Sequence, residues 1–244
     1  MSIPGFAEWM KTPLGRFLVS WEQREIDARV ADCFGFFALQ IGRPQVDYLR
    51  NSRIGCRLRC GCTEAIDLYC DFEALPIAEQ SVDLVVLPHA LEFSASPHQV
   101  LREIERILVP DGQLVLAVFN PVSLWGLRRA LARKNAAFPW QGSFLTAGRL
   151  KDWLQLLGFE VQSCTFGAYR PPFSQATWIR RSRFLERIGA RWWPIAGGVY
   201  IVQATKRVPG MRLVTPAWKL RLAQAKRLAP VVQSQSQKQN RTDW

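Results

Sequence analysis

Residues 71–121 read DFEALPIAEQSVDLVVLPHALEFSASPHQVLREIERILVPDGQLVLAVFNP. Val82-Asp83-Leu84-Val85-Val86-Leu87 is a β-branched-rich run of the length of a strand buried on both faces. Ser96-Pro97-His98-Gln99 then opens a helix, with Ser at the cap, Pro at the first position and Gln placed for a capping box. Val100, Leu101, Ile104, Ile107 and Leu108 share one face of that helix, and Arg102, Glu103, Glu105 and Arg106 take the other. Pro110-Asp111-Gly112 reads as a turn and Gln113–Phe119 as the next strand. Strand, helix, turn and strand in this order make a crossover unit of a parallel sheet.

The same alternation extends in both directions. Upstream, residues 13–31 have the apolar stripe of an amphipathic helix (Leu14, Phe17, Leu18, Trp21, Val30), capped by Thr12 with Pro13 at the first position. Phe34–Gly42 reads as a buried strand, Gln45–Arg53 has room for one or two helical turns, and Gly55–Gly61 and Ile66–Cys70 read as short strands. Downstream, Leu150–Leu157 is a helix stopped by Gly158, and Phe159–Cys164 and Val199–Thr205 are strands. Residues 120–145 and 167–197, rich in Trp, Arg, Phe and Pro, read as insertions over one end of the sheet. The expected organisation is one α/β domain over residues 1–208, followed by a basic, Gln/Ser-rich and largely disordered tail over 209–244.

Composition is that of a globular chain, with 48% hydrophobic and 21% charged residues. No apolar run approaches the roughly 20 residues of a membrane helix. The first residues, with Glu8 and Lys11, lack the pattern of a secretory signal, so a cytoplasmic protein is expected. The net charge is +12. Residues 206–244 hold nine Lys or Arg against one acid, Asp243, so most of that excess belongs to the tail. Cys33, Cys56, Cys60, Cys62, Cys70 and Cys164 include no Cys-x-x-Cys pair. They read as reduced thiols in strands, with no metal site expected.

The wording of 71–119 resembles the type 11 family of class I S-adenosylmethionine (SAM)-dependent methyltransferases. Shared features are an acid before a Leu-Pro loop, Ser-Val-Asp-Leu-Val at the strand start, Ala-Leu-Glu after it, Leu-Arg-Glu-Ile on the helix and Pro-Asp-Gly before the next strand. RLKDWLQLLGFEV (149–161) is similar to the family's last helix-to-strand step. The resemblance implies a Rossmann-like fold, a mostly parallel sheet with helices on both faces, holding SAM outside the carboxyl ends of the strands. It places Asp71 against the adenine amino group, Phe72 beside the base, and Leu87, Pro88 and His89 near the methionine end. An imidazole suits proton transfer near neutral pH, which makes His89 the candidate catalytic residue. The alternatives are a loop-capping Asp71 and a backbone-bonded His89. Glu92 is expected to organise its loop, Asp83 to be structural and His98 to be exposed.

The sequence departs from the family at the cofactor loop. The candidate is Leu39-Gln40-Ile41-Gly42-Arg43-Pro44, in which Gln40 and Gly42 are the expected cofactor contacts. One glycine of the usual three survives, Pro44 removes a donor, and Arg43 brings bulk and positive charge. No acid closes the second strand, Glu64 being a loose substitute, and the segment to the third strand is too short for the usual helix. Two functions follow: an active methyltransferase with residues 13–31 as a lid, or a methyltransferase-like binding or regulatory protein that has lost catalysis. Trp125, Phe138, Trp140, Phe144 and Trp178 either line the site of a small hydrophobic or aromatic acceptor or pack the insertions. Arg128, Arg129 and Arg133 either attract an anion or face water. Nucleic acid, the ribosome or an anionic membrane surface is a further expected partner, through the basic tail and its amphipathic stretch Trp218–Leu228.

Overall fold

A computed structural model describes residues 5–61, 66–132, 138–172 and 184–208. The helices are α1 (Phe6–Met10), α2 (Pro13–Val30), α3 (Pro97–Ile107), α4 (Leu124–Leu131), α5 (Ala147–Leu156) and α6 (Phe184–Trp192). The strands are β1 (Phe37–Ile41), β2 (Cys56–Gly61), β3 (Leu68–Tyr69), β4 (Val82–Pro88), β5 (Leu108–Phe119), β6 (Phe159–Gly167) and β7 (Val199–Lys206). They form one sheet in the order β3-β2-β1-β4-β5-β7-β6. β3, β2, β1, β4 and β5 are parallel to their neighbours, and β7 runs antiparallel to both β5 and β6. The α/β architecture expected from 71–121 is the one observed.

The two sheet faces bury separate cores. Leu39, Ile41, Val85, Leu87, Leu114, Leu116 and Val118 pack with Val100, Leu101, Ile104 and Ile107 of α3 and with Leu150 and Leu154 of α5. Ala38, Leu84, Val86, Val115, Ala117 and Phe119 point the other way, toward Leu18, Trp21, Ile26 and Val30 of α2. Both sets of strand positions are apolar because both faces are covered.

Thr12 caps α2 as expected: its hydroxyl oxygen accepts from the Gly15 amide at 3.0 Å, with Pro13 at the first position. The same hydroxyl donates to the Trp9 carbonyl at 2.6 Å, joining α1 to α2. Thr12→Ala removes both bonds and should cost about 1 kcal/mol in denaturant unfolding.

Several boundaries differ from expectation. Ser96 makes no side-chain cap on α3; its amide and the Ser94 hydroxyl instead donate to Glu73 Oε1, each at 3.0 Å. Pro110-Asp111-Gly112 is not a turn before the strand but a bulge inside β5. The pairing runs from Val82↔Leu108 to Leu84↔Gln113, with Asp111 at φ 62°. β1 starts only at Phe37, leaving Phe34 and Phe36 exposed. Residues 42–55 contain turns and no helix. Gly167 ends β6 where a Cβ would lie 2.0 Å from the Trp21 ring, so α2 can approach the sheet there only over a glycine.

Cys60 and Cys70 are joined as a disulfide, correcting the expectation of reduced thiols for that pair. Their strands β2 and β3 are adjacent and parallel, which brings them together across ten residues of chain. Cys33 is free and buried, and burial pushes its thiol up to about 11. Cys62 and Glu64 lie outside the described residues, as do Arg133, Trp178 and the tail from 209.

Candidate active site

The carboxyl ends of β1 and β4 adjoin in the middle of the sheet, where ligands of open parallel sheets bind. β1 delivers Gln40 and Gly42. The Gln40 side-chain nitrogen donates to the carbonyls of Gly42 (3.3 Å), Arg43 (3.0 Å) and Val46 (2.7 Å), and its oxygen accepts from the Tyr48 amide at 2.9 Å. Gln40 thus pins the 42–48 loop from inside. Gly42 adopts φ 82°, its amide donating to the Cys60 carbonyl at 2.9 Å. Without a side chain it passes close to Ala90 and Phe72, whose atoms lie 3.6 and 3.9 Å from where a Cβ would be.

The loop then turns Arg43 inward. Its guanidinium is fully buried, with Nη1 3.2 Å from Glu22 Oε2. The carbon of that group stands 4.1 Å from the centroid of the Phe6 ring and 5.7 Å from that of Phe138. Glu22 comes from the middle of α2 and is the hub of the site. Its Oε2 also accepts from the Tyr48 hydroxyl at 2.6 Å, and its Oε1 is 2.6 Å from His89 Nε2. His89, at φ 51° just beyond β4, places Nδ1 2.8 Å from Glu92 Oε1, which also accepts from the Phe119 amide at 2.7 Å. The chain Arg43–Glu22–His89–Glu92 therefore spans from the β1 loop to the end of β5, buried throughout.

The electrostatics follow from that burial. Desolvation raises the Glu22 carboxyl, but the charges of His89 and Arg43 and the bonds from His89 and Tyr48 outweigh it and hold the carboxyl below its usual value. The Tyr48 phenol is raised, first by burial and then by the Glu22 charge, so it remains a donor. Each His89 nitrogen faces a carboxylate oxygen, and each contact needs a proton. With those protons on the imidazole, two cations oppose two carboxylates and the cluster is neutral. Three buried atoms of the cluster have no hydrogen-bond partner: Arg43 Nε, Arg43 Nη2 and Glu92 Oε2.

The predicted site residues are brought together unevenly. Gln40, Gly42, Phe72 and His89 gather around the ends of β1 and β4. Leu87 and Pro88 pack into the sheet at the tip of β4. Asp71 stands exposed just past β3, its Oδ1 accepting from the Glu73 amide at 3.2 Å. Asp83 is structural as expected, accepting from the amides of Phe36 (2.7 Å) and Phe37 (2.9 Å). His98 is exposed and lies 3.7 Å from the Trp153 ring, centroid to centroid. Glu22 and Tyr48 escaped sequence reading. The signal for Glu22 was its place on the buried stripe of α2, four residues after Leu18 and four before Ile26.

The insertion aromatics pack more than they line. Trp125 is buried, its Nε1 donating to the Arg170 carbonyl at 2.9 Å. Phe119 stacks with Phe144 at 5.0 Å and with Trp125 at 5.8 Å, and Phe138 stacks on Phe93 at 5.2 Å. Arg128 lies over Trp140 at 4.7 Å, and Arg129 donates to the Gly142 carbonyl.

Strand order and the antiparallel β7 are those of the class I methyltransferase fold. Residues 45–116 match the methyltransferase domain family. The uncharacterized protein YafS of Escherichia coli (strain K12) is 32% identical over 162 residues, covering 63% of this chain and 65% of that protein. A malonyl-[acyl-carrier protein] O-methyltransferase of Laribacter hongkongensis is 42% identical over 82 residues, 33% of this chain and 28% of that one. The chain thus spans under two thirds of the length of these curated relatives. A SAM-dependent methyltransferase of Thermotoga maritima superposes with a TM-score of 0.58 at 18% identity, covering 78% of this chain and 93% of its own. Among the described residues no helix is long and apolar enough to cross a membrane.

Proposed function

We propose that this chain transfers a methyl group from SAM to a small hydrophobic or aromatic acceptor, with α1 and α2 as a lid over the carboxyl ends of β1 and β4. The observation that carries this reading is the set of unpartnered buried atoms in the polar cluster. Arg43 Nε and Nη2 form the side edge of the guanidinium, the fork that takes a carboxylate in two parallel bonds. A carboxylate of the ligand thus has a donor pair waiting for it at Arg43. Asp71 at the rim and Phe72 beside Gly42 suit an adenine amino group and ring. When bound, SAM supplies an electrophilic methyl carbon on a sulfonium, and in-line transfer needs orientation above all. The chain's part is to hold the ligand's carboxylate, exclude water with α1 and α2, and aim the acceptor. His89 acts as a positioning residue for Glu22 and Glu92, since both its ring nitrogens are engaged.

The fit is one of donor chemistry, and admission of the cofactor requires Phe6 and Glu22 to withdraw from Arg43. That requirement favours a second reading, in which the paired cluster is a permanent filling and the chain is a catalytically inactive binding or regulatory protein, nucleic acid being one partner through its basic tail. Calorimetric titration with SAM and S-adenosylhomocysteine separates the two. Binding by the wild type, weakened at least about tenfold in Arg43→Met by loss of a charge-assisted pair, supports the enzyme. No heat at millimolar ligand overturns it. Unchanged binding in Asp71→Ala discards the adenine contact alone. The malonyl carrier-protein activity in the name of the Laribacter relative makes carboxylates a first acceptor class to assay.

A further inference from the structure

One group of exposed apolar residues lies on α4. Leu124, Leu127 and Leu131 lie along this one helix and are all exposed, Leu131 at 79%. With Arg128, Pro171 and Pro172 the three leucines line a groove of about 320 Å³. A second apolar projection follows α6. Trp192 and Trp193 are 71% and 67% exposed, and Ile195 follows them. Hydrogen bonds tie both pieces to the root of α4. The Asn120 side chain, just ahead of the helix, donates to the carbonyls of Ile195 (2.7 Å) and Gly197 (2.9 Å), and Trp125 donates to Arg170 next to the proline pair. The leucine row, the prolines and the tryptophan turn therefore adjoin.

The described charges beside this surface are basic, and the one acid of residues 167–197, Glu186, pairs with Arg170 at 3.7 Å. On α4 the exposed Arg128 sits beside the leucines, and Arg191 is exposed next to the tryptophans. Apolar side chains, two of them indoles, set among arginines are what an anionic bilayer binds. Indoles settle at the headgroup level, and each arginine near the surface is drawn by the negative lipid charge.

We propose that the face formed by α4, Pro171-Pro172 and Trp192–Ile195 docks on an anionic lipid surface. The occupant is the bilayer rather than an acidic protein because the apolar groups protrude from two separate segments, each with an exposed arginine beside it. The proposal stands independently of SAM binding.

Flotation of the full-length chain with vesicles tests it. Phosphatidylcholine vesicles containing phosphatidylglycerol should carry the protein up, and pure phosphatidylcholine should carry much less. Leu127→Ser/Trp193→Ser keeps the basic tail and should bind at least about tenfold more weakly, since each substitution removes a large exposed apolar group that the bilayer would bury. Arg128→Glu should weaken binding about fivefold or more without touching an apolar group. It keeps the test open should the double variant fail to fold by circular dichroism. Wild type that stays at the bottom with anionic vesicles overturns the proposal. So does a folded double variant that floats like wild type, because the tail would then account for the binding. Binding to an acidic protein or to nucleic acid, with none to vesicles, overturns it as well.

Discussion

Glu22→Ala will destabilise the folded chain by about 3–5 kcal/mol, the cost of removing one partner from a buried ion pair. The carboxylate is fully buried and contacts Arg43, Tyr48 and His89 at once, so its loss strands a guanidinium, an imidazole and a phenol away from water. Against a typical total of about 5–15 kcal/mol this is a large fraction of the stability. Urea unfolding followed by circular dichroism reads the change directly. The double variant Glu22→Leu/Arg43→Met removes both members of the pair, and should recover a good part of the loss. Strict additivity of the two single effects would mean that the pair does not act as a unit.

The same residue sets an acid limit. Its carboxyl is held below the ordinary 4.5, so its contribution is fully present above that value. It is lost as the pH falls through the lower folded value, because the folded state must then take up a proton that the unfolded state already holds. The stability gap between wild type and Glu22→Ala should therefore be constant above about pH 5 and shrink below pH 4.5. A gap that widens on acidification would show that Glu22 is protonated in the folded state at neutral pH.

Trp125→Ala should cost about 3–5 kcal/mol as well, through the cavity it opens. Trp125 is 1% exposed and sits between Phe119 and Trp140, with ring centroids 5.8 and 5.9 Å away. The backbone is shaped to receive it: a Cβ on Gly198 would lie 2.5 Å from the Trp125 ring. Trp125→Phe keeps most of the packing but removes the donor to Arg170, and should lose about 1–3 kcal/mol. Comparable losses for Ala and Phe would assign the stability to the hydrogen bond. A loss under about 1 kcal/mol for Ala would mean that α4 repacks over the gap.

The helix–strand order was legible because local rules suffice for it. α3 shows its period in Val100, Leu101, Ile104 and Ile107, and β4 its β-branched run, and neither needs a distant partner to be recognised. The bulge at Pro110–Gly112 was not legible, since a Pro-Asp-Gly triplet makes a turn or a bulge according to the strand it lies beside. The roles of the insertion aromatics were also hidden. A tryptophan that lines a pocket and one that fills a core have the same identity, and only Arg170 and Gly198 across the fold distinguish Trp125 as the second kind.

By itself the sequence determined an alternating α/β chain and its crossover at 82–119, because periodicity and turn chemistry are local. The placing of Gln40, Gly42 and His89 at one end of the sheet rested on the family resemblance. Only the tertiary structure decided what those residues face. Arg43 looked like an obstruction in a degenerate loop. Folding sets it against Glu22, twenty-one residues earlier, and leaves its carboxylate-binding edge without a partner. His89 looked like a free base and is instead held between Glu22 and Glu92, sixty-seven residues and three residues away. A buried charge survives only beside its counter-charge, and the partner that satisfies it is set by the packing of α2 on the sheet, which no local pattern encodes.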